Sequence, residues 1–211
     1  MVGMFITLEG IEGSGKTTHA RLLAEKLRAQ GCRVLLTREP GGTPAGELIR
    51  AMFLDPGVTL QATAELLLVL ADRAQHVAET VKPALAQGEI VISDRYSDST
   101  TAYQGYGRGL DLALLARLNE LASGGVMPDL TIVLDCPPEI GLARAHARAG
   151  DSPDRFESAG LDFHRRVRTG FLNLAQGEPA RCTVIDSSQP SDLVRKAIWD
   201  AAQKLIQSRC H

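Results

Sequence analysis

The chain has 211 residues, 44% hydrophobic and 23% charged, and 23 Lys and Arg face 25 Asp and Glu for a net charge of −2. This is the composition of one globular domain with a sizeable core. The near-neutral charge argues against a broad nucleic-acid or membrane-binding surface, and 4% aromatics argue against a stacking platform for single strands. Cys32, Cys136, Cys182 and Cys210 form no C-x-x-C, which favours reduced thiols over a disulfide framework or zinc site. The start "MVGMFITLEG" has no basic leader, and no apolar run approaches 18 residues, so the expectation is a cytoplasmic protein that does not span a membrane.

In chain order, "MFITL" (4–8) is a short buried strand that runs straight into a Gly-rich turn. Residues 16–30 carry a helical period through Leu22, Leu23 and Leu27, and Gly31 stops it. "RVLLT" (33–37) is the second strand and "REPGGTPAGE" a loop rich in turn residues. A helix is predicted over about 45–54, then a long helix over about 63–88, kinked before Pro83. "IVIS" (90–93) is the third strand, and Asp94 and Arg95 sit at its end. Helix 111–122, strand 130–135, helix 137–148, a polar interruption at 149–157, helix 161–176, strand 182–186 and helix 191–207 complete the chain. Apolar strands without alternation, each followed by a helix, predict a doubly wound α/β fold around a five-stranded parallel sheet. With no repeat and no linker, residues 1–211 read as a single domain.

Gly10-Ile11-Glu12-Gly13-Ser14-Gly15-Lys16-Thr17 fits G-x-x-x-x-G-K-[ST] without mismatch, and Thr18 follows. Glycines let successive backbone N–H groups turn inward around phosphate oxygens, and the helix that opens near Lys16 aims its positive end at the same anion. Lysine in this position reaches the β- and γ-phosphates of ATP, and the Thr17 hydroxyl ligates Mg²⁺. The strand before and helix after give the motif its proper context, a P-loop NTPase fold. There is no D-x-x-G switch and no N-K-x-D guanine motif, which sets GTPases aside. A small kinase remains, in which two anionic phosphates must approach each other and arginines must cancel their repulsion. The candidates are Arg38, Arg50, Arg73, Arg95, Arg144, Arg148 and Arg155; the last three flank or lie in the segment at about 145–157, read as a lid over ATP. Arg144 and Arg148, four apart, also fit a plain solvated helix face.

Five segments, "EGIEGSGKTT" (9–18), "TREPGGTPAGELIR" (37–50), "SDRYSDSTTAYQGYGRG" (93–109), "PDLTIVLD" (128–135) and "DRFE" (154–157), together resemble the bacterial thymidylate kinase family from residue 4 to about 190. The resemblance implies phosphorylation of dTMP to dTDP by ATP with Mg²⁺, in a homodimer that binds small molecules and neither nucleic acid nor membrane. It implies that Glu12, a carboxylate inside an anion-binding loop, approaches the acceptor's 3′-hydroxyl. With no arginine among residues 11–14, the chain resembles the branch that supplies arginines from the lid, so Arg148 and Arg155 are candidates beside Lys16 and Arg95 for stabilising the transferring phosphoryl group, with Arg144 near ATP. Asp94 resembles the acid beside Mg²⁺, Arg95 and Arg50 the clamps on the acceptor phosphate, and Arg73, Thr100 and Gln104 the base contacts. Tyr103 resembles the ring against C2′, and "DSSQP" (186–190) the adenine loop.

Two departures stand out. Val69 occupies the place of a phenylalanine that stacks on thymine, and His146 a place where related lids hold arginine. An aliphatic side chain packs on a base face without aromatic overlap. A kinase for dUMP, dCMP or a nucleoside, and an ATP-binding regulatory protein without turnover, therefore stay open as alternatives. The stripe Leu66, Leu67, Leu70 and Val77 fits either a dimer interface or the core.

Overall fold

The computed structural model describes residues 3–149 and 154–209, without the side chain of residue 149. Residues 150–153, inside the predicted lid, lie outside the described residues, as does Cys210. Five parallel strands form one sheet in the order β2-β3-β1-β4-β5: β1 Met4–Glu9, β2 Val34–Arg38, β3 Ile90–Asp94, β4 Leu130–Asp135 and β5 Cys182–Asp186. This is the P-loop, doubly wound architecture the sequence predicted.

The alternation of β1 sorts its side chains between two cores. Met4, Ile6 and Leu8 join Leu23 and Leu27 of helix α1 (Lys16–Ala29) and Val194 and Ile198 of α9 (Ser191–Arg209). Phe5 faces the other side and packs edge-on against Tyr96 at 4.8 Å. Thr7, on that same side, has its hydroxyl 2.9 Å from that of Thr131, its register partner on β4. The largest cluster lies under α3 (Ala62–His76), α6 (Leu112–Ser123) and α8 (Leu161–Gly177). Helix α2 (Pro44–Leu54) opens with Pro44 at its first turn and the Thr43 hydroxyl accepting from the Gly46 N–H at 2.9 Å.

The predicted long helix over 63–88 is three pieces. α3 runs into a π-helical turn at Val77–Val81, then α4 (Lys82–Ala86). Pro83 offers no N–H and crowds the preceding turn, and the wider turn accommodates it. A further helical segment was absent from the sequence reading: α5 (Ser97–Thr100), which continues as a π-helical stretch at Thr101–Gly107. α7 spans Pro138–Ala149. In the β1–β3 register Leu8 pairs with Asp94, so the turn after β1 and the Asp94-Arg95 pair open side by side at the carboxyl edge of the sheet.

Candidate active site

Residues 10–15 turn from β1 into α1. Gly13 has φ 68°, and a Cβ there would stand 1.9 Å from the Gly141 carbonyl oxygen of α7. Only glycine lets the loop lie so close to α7. An open cleft with an empty volume of about 1030 Å³ lies above the loop. Glu12, Gly13, Gly15, Lys16, Thr17 and Thr18 line it, while Gly10, Ile11 and Ser14 are buried and do not. Lys16 Nζ donates to the Ile11 carbonyl at 2.7 Å and lies 3.4 Å from the Ser14 hydroxyl. Burial, then the Arg95 charge, brings its pKa down to about 8. The Thr17 hydroxyl donates to Asp94.

Arg95 holds a left-handed backbone (φ 75°), rare for a side chain with a Cβ, and its N–H is fixed on the Leu8 carbonyl at 3.0 Å. Its guanidinium reaches four partners. Nη1 donates to the Gly10 carbonyl and Ser99 hydroxyl, both at 3.0 Å; Nη2 donates to Glu12 Oε1 at 3.0 Å and the Tyr103 oxygen at 2.9 Å. Tyr103 in turn donates to Glu12 Oε1 at 2.6 Å. Burial pushes the Glu12 carboxyl up, but His164, Arg95, Lys16 and Tyr103 together bring it down to about 2. Glu9, wholly buried, accepts from the Tyr96 N–H at 2.7 Å and the Ser99 hydroxyl at 2.5 Å, which pins the turn carrying Arg95 to the end of β1. Burial, then the Asp98 charge, pushes its pKa to about 8.

Farther along the cleft, Arg73 is 2% exposed and donates to Glu39 at 2.9 Å, Thr100 at 3.0 Å and Asn119 at 2.7 Å. His76 holds the second Glu39 oxygen at 2.8 Å. Arg50 donates to the Pro40 carbonyl at 2.9 Å, and Arg38 pairs with Glu47 through both carboxylate oxygens. Gln104 donates to Glu65 at 2.8 Å. Val69, Thr100, Tyr103 and Gln104 all line the cleft, so the predicted acceptor residues are brought together.

The lid arginines divide. Arg148 lines the cleft and pairs with Glu157 at 2.9 Å. Arg155 does not: its Nη1 donates to Glu65 at 2.6 Å and its Nε to the Phe53 carbonyl at 3.0 Å, with the guanidinium over the Phe53 and Phe156 rings. In this structure Arg155, expected on the transferring phosphate, is held by Glu65 and Phe53 and not at the cleft. Glu65 is fully buried and also holds Arg108, and a buried carboxylate must be compensated by nearby cations. Arg144 likewise lies outside the cleft and donates to the Ser187 carbonyl at 2.9 Å, in the loop that the resemblance gives to adenine. His146 faces the Glu157 carbonyl at 3.1 Å. Sequence reasoning missed Glu9, Glu65, Asp72 and His164. The one available signal was a charged residue on an otherwise apolar stretch, as in "AELLLVLAD" (64–72).

A profile of the thymidylate kinase family matches residues 8–198, from the end of β1 into α9. The chain belongs to the thymidylate kinase family. It is 52% identical to a thymidylate kinase of Geobacter sulfurreducens over 99% of this chain and 100% of that one. It is 54% identical to one of Pseudomonas fluorescens, over 94% of each. Among solved structures, it resembles the crystal structure of thymidylate kinase from Ehrlichia chaffeensis with a TM-score of 0.76 and 39% identity, covering 94% of this chain and 97% of that one. The family match takes in the P-loop, the Asp94-Arg95 turn, helix α3 and the α7 arginines. Among the described residues no helix is long and apolar enough to cross a membrane.

Proposed function

We propose that this chain transfers the γ-phosphoryl group of ATP to dTMP, giving ADP and dTDP, with Mg²⁺ as cofactor. The observation that carries the reading is one cleft lined both by the P-loop residues Lys16 and Thr17 and by Arg38, Arg50, Arg73 and Arg95. A phosphate oxygen of dTMP bonds to the γ-phosphorus while the bond to the β–γ bridging oxygen breaks and its electrons leave with ADP. The attacking oxygen is already anionic, so no strong base is needed; the work is positioning and charge cancellation. Arg95, fixed on Glu12 and the Gly10 carbonyl, is oriented before substrate arrives, and Arg50 is the second clamp on the acceptor phosphate. Lys16 meets the β- and γ-phosphates, and Arg148 is the lid arginine that faces the cleft.

Arg73, with Thr100 and Gln104, reads the thymine edge; Val69 packs beneath the base; the Tyr103 ring closes on C2′. Glu12 accepts from the 3′-hydroxyl. The Thr17 hydroxyl beside the Asp94 carboxylate fits Mg²⁺, which takes few protein oxygens and keeps waters and substrate phosphates as its other ligands. When bound, Mg²⁺ supplies charge neutralisation at the β- and γ-phosphates, and Thr17 and Asp94 would hold it. The reading includes a cytoplasmic homodimer. Its support is a set of exposed apolar side chains on adjacent helices: Leu48 and Met52 on α2, Leu67 on α3, Leu114 and Leu121 on α6. The earlier stripe divides, since Leu66, Leu70 and Val77 are buried and only Leu67 is exposed.

A coupled ADP-release assay with ATP and Mg²⁺ tests the reading against dTMP, dUMP, dCMP, dGMP, UMP, AMP and no acceptor. Release fastest with dTMP and near background without acceptor is expected. Preference for another acceptor would keep the chemistry and replace the substrate; release indifferent to every acceptor would mean ATP hydrolysis without a second substrate and leave only the P-loop role.

A further inference from the structure

His164 stands on α8, is fully buried and does not line the cleft. Its Nδ1 lies 3.2 Å from Glu12 Oε2, and its Nε2 lies 3.0 Å from the carbonyl oxygen of Phe156. Among the described residues neither Nδ1 nor Glu12 Oε2 has a hydrogen-bond partner, so the two buried atoms face each other at ion-pair distance and nothing else answers either. A carbonyl oxygen and a carboxylate oxygen only accept, so each ring nitrogen faces an acceptor, Nε2 the Phe156 carbonyl and Nδ1 the Glu12 carboxylate. The other Glu12 oxygen takes Tyr103 and Arg95. Phe156 lines the cleft and belongs to the lid-side segment that follows residues 150–153. Phe156, His164, Glu12 and Arg95 therefore stand in one file of polar contacts, hydrogen bonds at either end and an ion-pair-range contact between His164 and Glu12 in the middle.

The close seat of α8 is built in glycine. A Cβ on Gly107 would meet the Phe163 ring at 2.7 Å, and one on Gly170 would meet Tyr106 at 2.8 Å. Packing of α8 on the Thr101–Gly107 stretch at this distance puts His164 within reach of the P-loop carboxylate. We infer that His164 is a positioning residue for phosphoryl transfer: acting through Glu12, it holds the P-loop carboxylate, and with it Arg95 and Tyr103, in register with the lid segment at Phe156. The inference rests on the proposed function, because the clamp it positions is the acceptor clamp of that reaction.

The test is a double-mutant cycle of His164→Phe and Glu12→Gln with His164→Asn as the rescue. Phenylalanine keeps the ring packed edge-on against Phe163, now 5.4 Å away, but donates to neither partner. Asparagine keeps one donor at the Glu12 side. With dTMP as acceptor, His164→Phe is expected to lower kcat/KM about tenfold in the native background and less than about threefold in Glu12→Gln, with His164→Asn recovering most of the loss. Equal losses in both backgrounds, or an asparagine variant as impaired as the phenylalanine one, would overturn the inference and mark His164 as packing only. A second readout stands apart from turnover: the ring ¹⁵N signals of His164 in the unliganded protein, assigned by their loss in His164→Phe. They are expected to move in Glu12→Gln. Signals that stay put would overturn the inference even in an active kinase, and signals that move in a protein that does not phosphorylate dTMP would keep the contact and remove the proposed reaction.

Discussion

The two ends of the cleft are made of different material. At the end proposed for the phosphate donor the chain offers a tight backbone turn whose Lys16 leans on a carbonyl and a hydroxyl oxygen five and two residues away, with Thr17 reaching across to Asp94 of β3. At the end proposed for the acceptor the arginines are held by acids from distant parts of the chain, Arg73 by Glu39 and Arg95 by Glu12, and behind the cleft wall Arg155 and Arg108 are held by Glu65. The donor end can be built from eight consecutive residues because backbone N–H groups and a helix terminus do the binding. The acceptor end must orient guanidinium forks against one substrate, and a fork is orientated only by fixed partners. The comparison separates two kinds of mutation, those that remove chemistry and those that loosen the frame.

The largest effect on rate is expected at the donor end. Lys16→Ala should lower acceptor-dependent ADP release by at least about 10²–10³-fold, the cost of losing one preorganised donor at the developing charge. Its melting temperature should stay within about 4 °C, because a buried lysine whose charged form is already disfavoured adds little to the fold. A folded Lys16→Ala protein with near-normal turnover would remove the P-loop role. Glu65→Ala should do the reverse. It strands Arg155 and Arg108 and leaves Gln104 without its partner, a cost of about 3–5 kcal/mol for breaking a buried pair, or a fall in melting temperature of roughly 6–20 °C. Melting measured by circular dichroism checks it; an unchanged melt would mean that the acid network is not what holds the acceptor end.

Tyr103→Phe sharpens the contrast inside one side chain. The hydroxyl serves the frame, between Glu12 and Arg95, while the ring is proposed to serve selectivity. Loss of the hydroxyl should lower kcat/KM for dTMP by roughly 10- to 100-fold, the worth of one hydrogen bond to a charged group, about 1.5–3 kcal/mol. Preference for deoxyribonucleotides should survive. Comparison of dTMP with its ribose counterpart checks this, and marked acceptance of the ribonucleotide would assign the exclusion to the hydroxyl.

The same division explains what could be read from sequence. The five strands were legible because each is an apolar run with a helix behind it, and β4 and β5 match residue for residue. The P-loop was legible because its chemistry is contiguous. Helix α5 and its π-helical continuation were not: Ser-Asp-Ser-Thr followed by Thr-Ala-Tyr-Gln-Gly-Tyr-Gly has weak helix propensity, and its shape is imposed by α8 packing on Gly107 and Tyr106. The contacts of Arg155 were not legible either. An arginine-rich lid is visible in the sequence, but which guanidinium a buried acid captures depends on Glu65, 90 residues earlier on an apolar helix. His164 was hidden for the same reason, since no local period links it to Glu12.

The smallest effect, and the one that tests the frame without touching chemistry, is expected at Asp72. Its side chain is fully buried; Oδ1 accepts from the Gly41 N–H at 2.9 Å, and Oδ2 has no partner among the described residues. Burial, then the Glu39 charge, pushes its pKa from 3.8 to about 7. Between those two values the folded chain keeps a proton that the unfolded chain releases. The stabilising contribution is therefore complete below about pH 4 and is lost as pH rises through about 7. Asp72→Asn keeps the acceptor for Gly41 and stays neutral at every pH, so its stability lacks this decline. Glu9, raised to about 8, titrates alike in both proteins and drops out of the difference. The variant's melting temperature minus that of the native chain should thus grow from pH 5 to pH 8 by a few degrees, on the order of 1 kcal/mol. Parallel pH profiles would show that Asp72 is ionised in the folded protein, and the loop at Gly41 would then be held by a charged carboxylate like that of Glu12 rather than by a neutral acid.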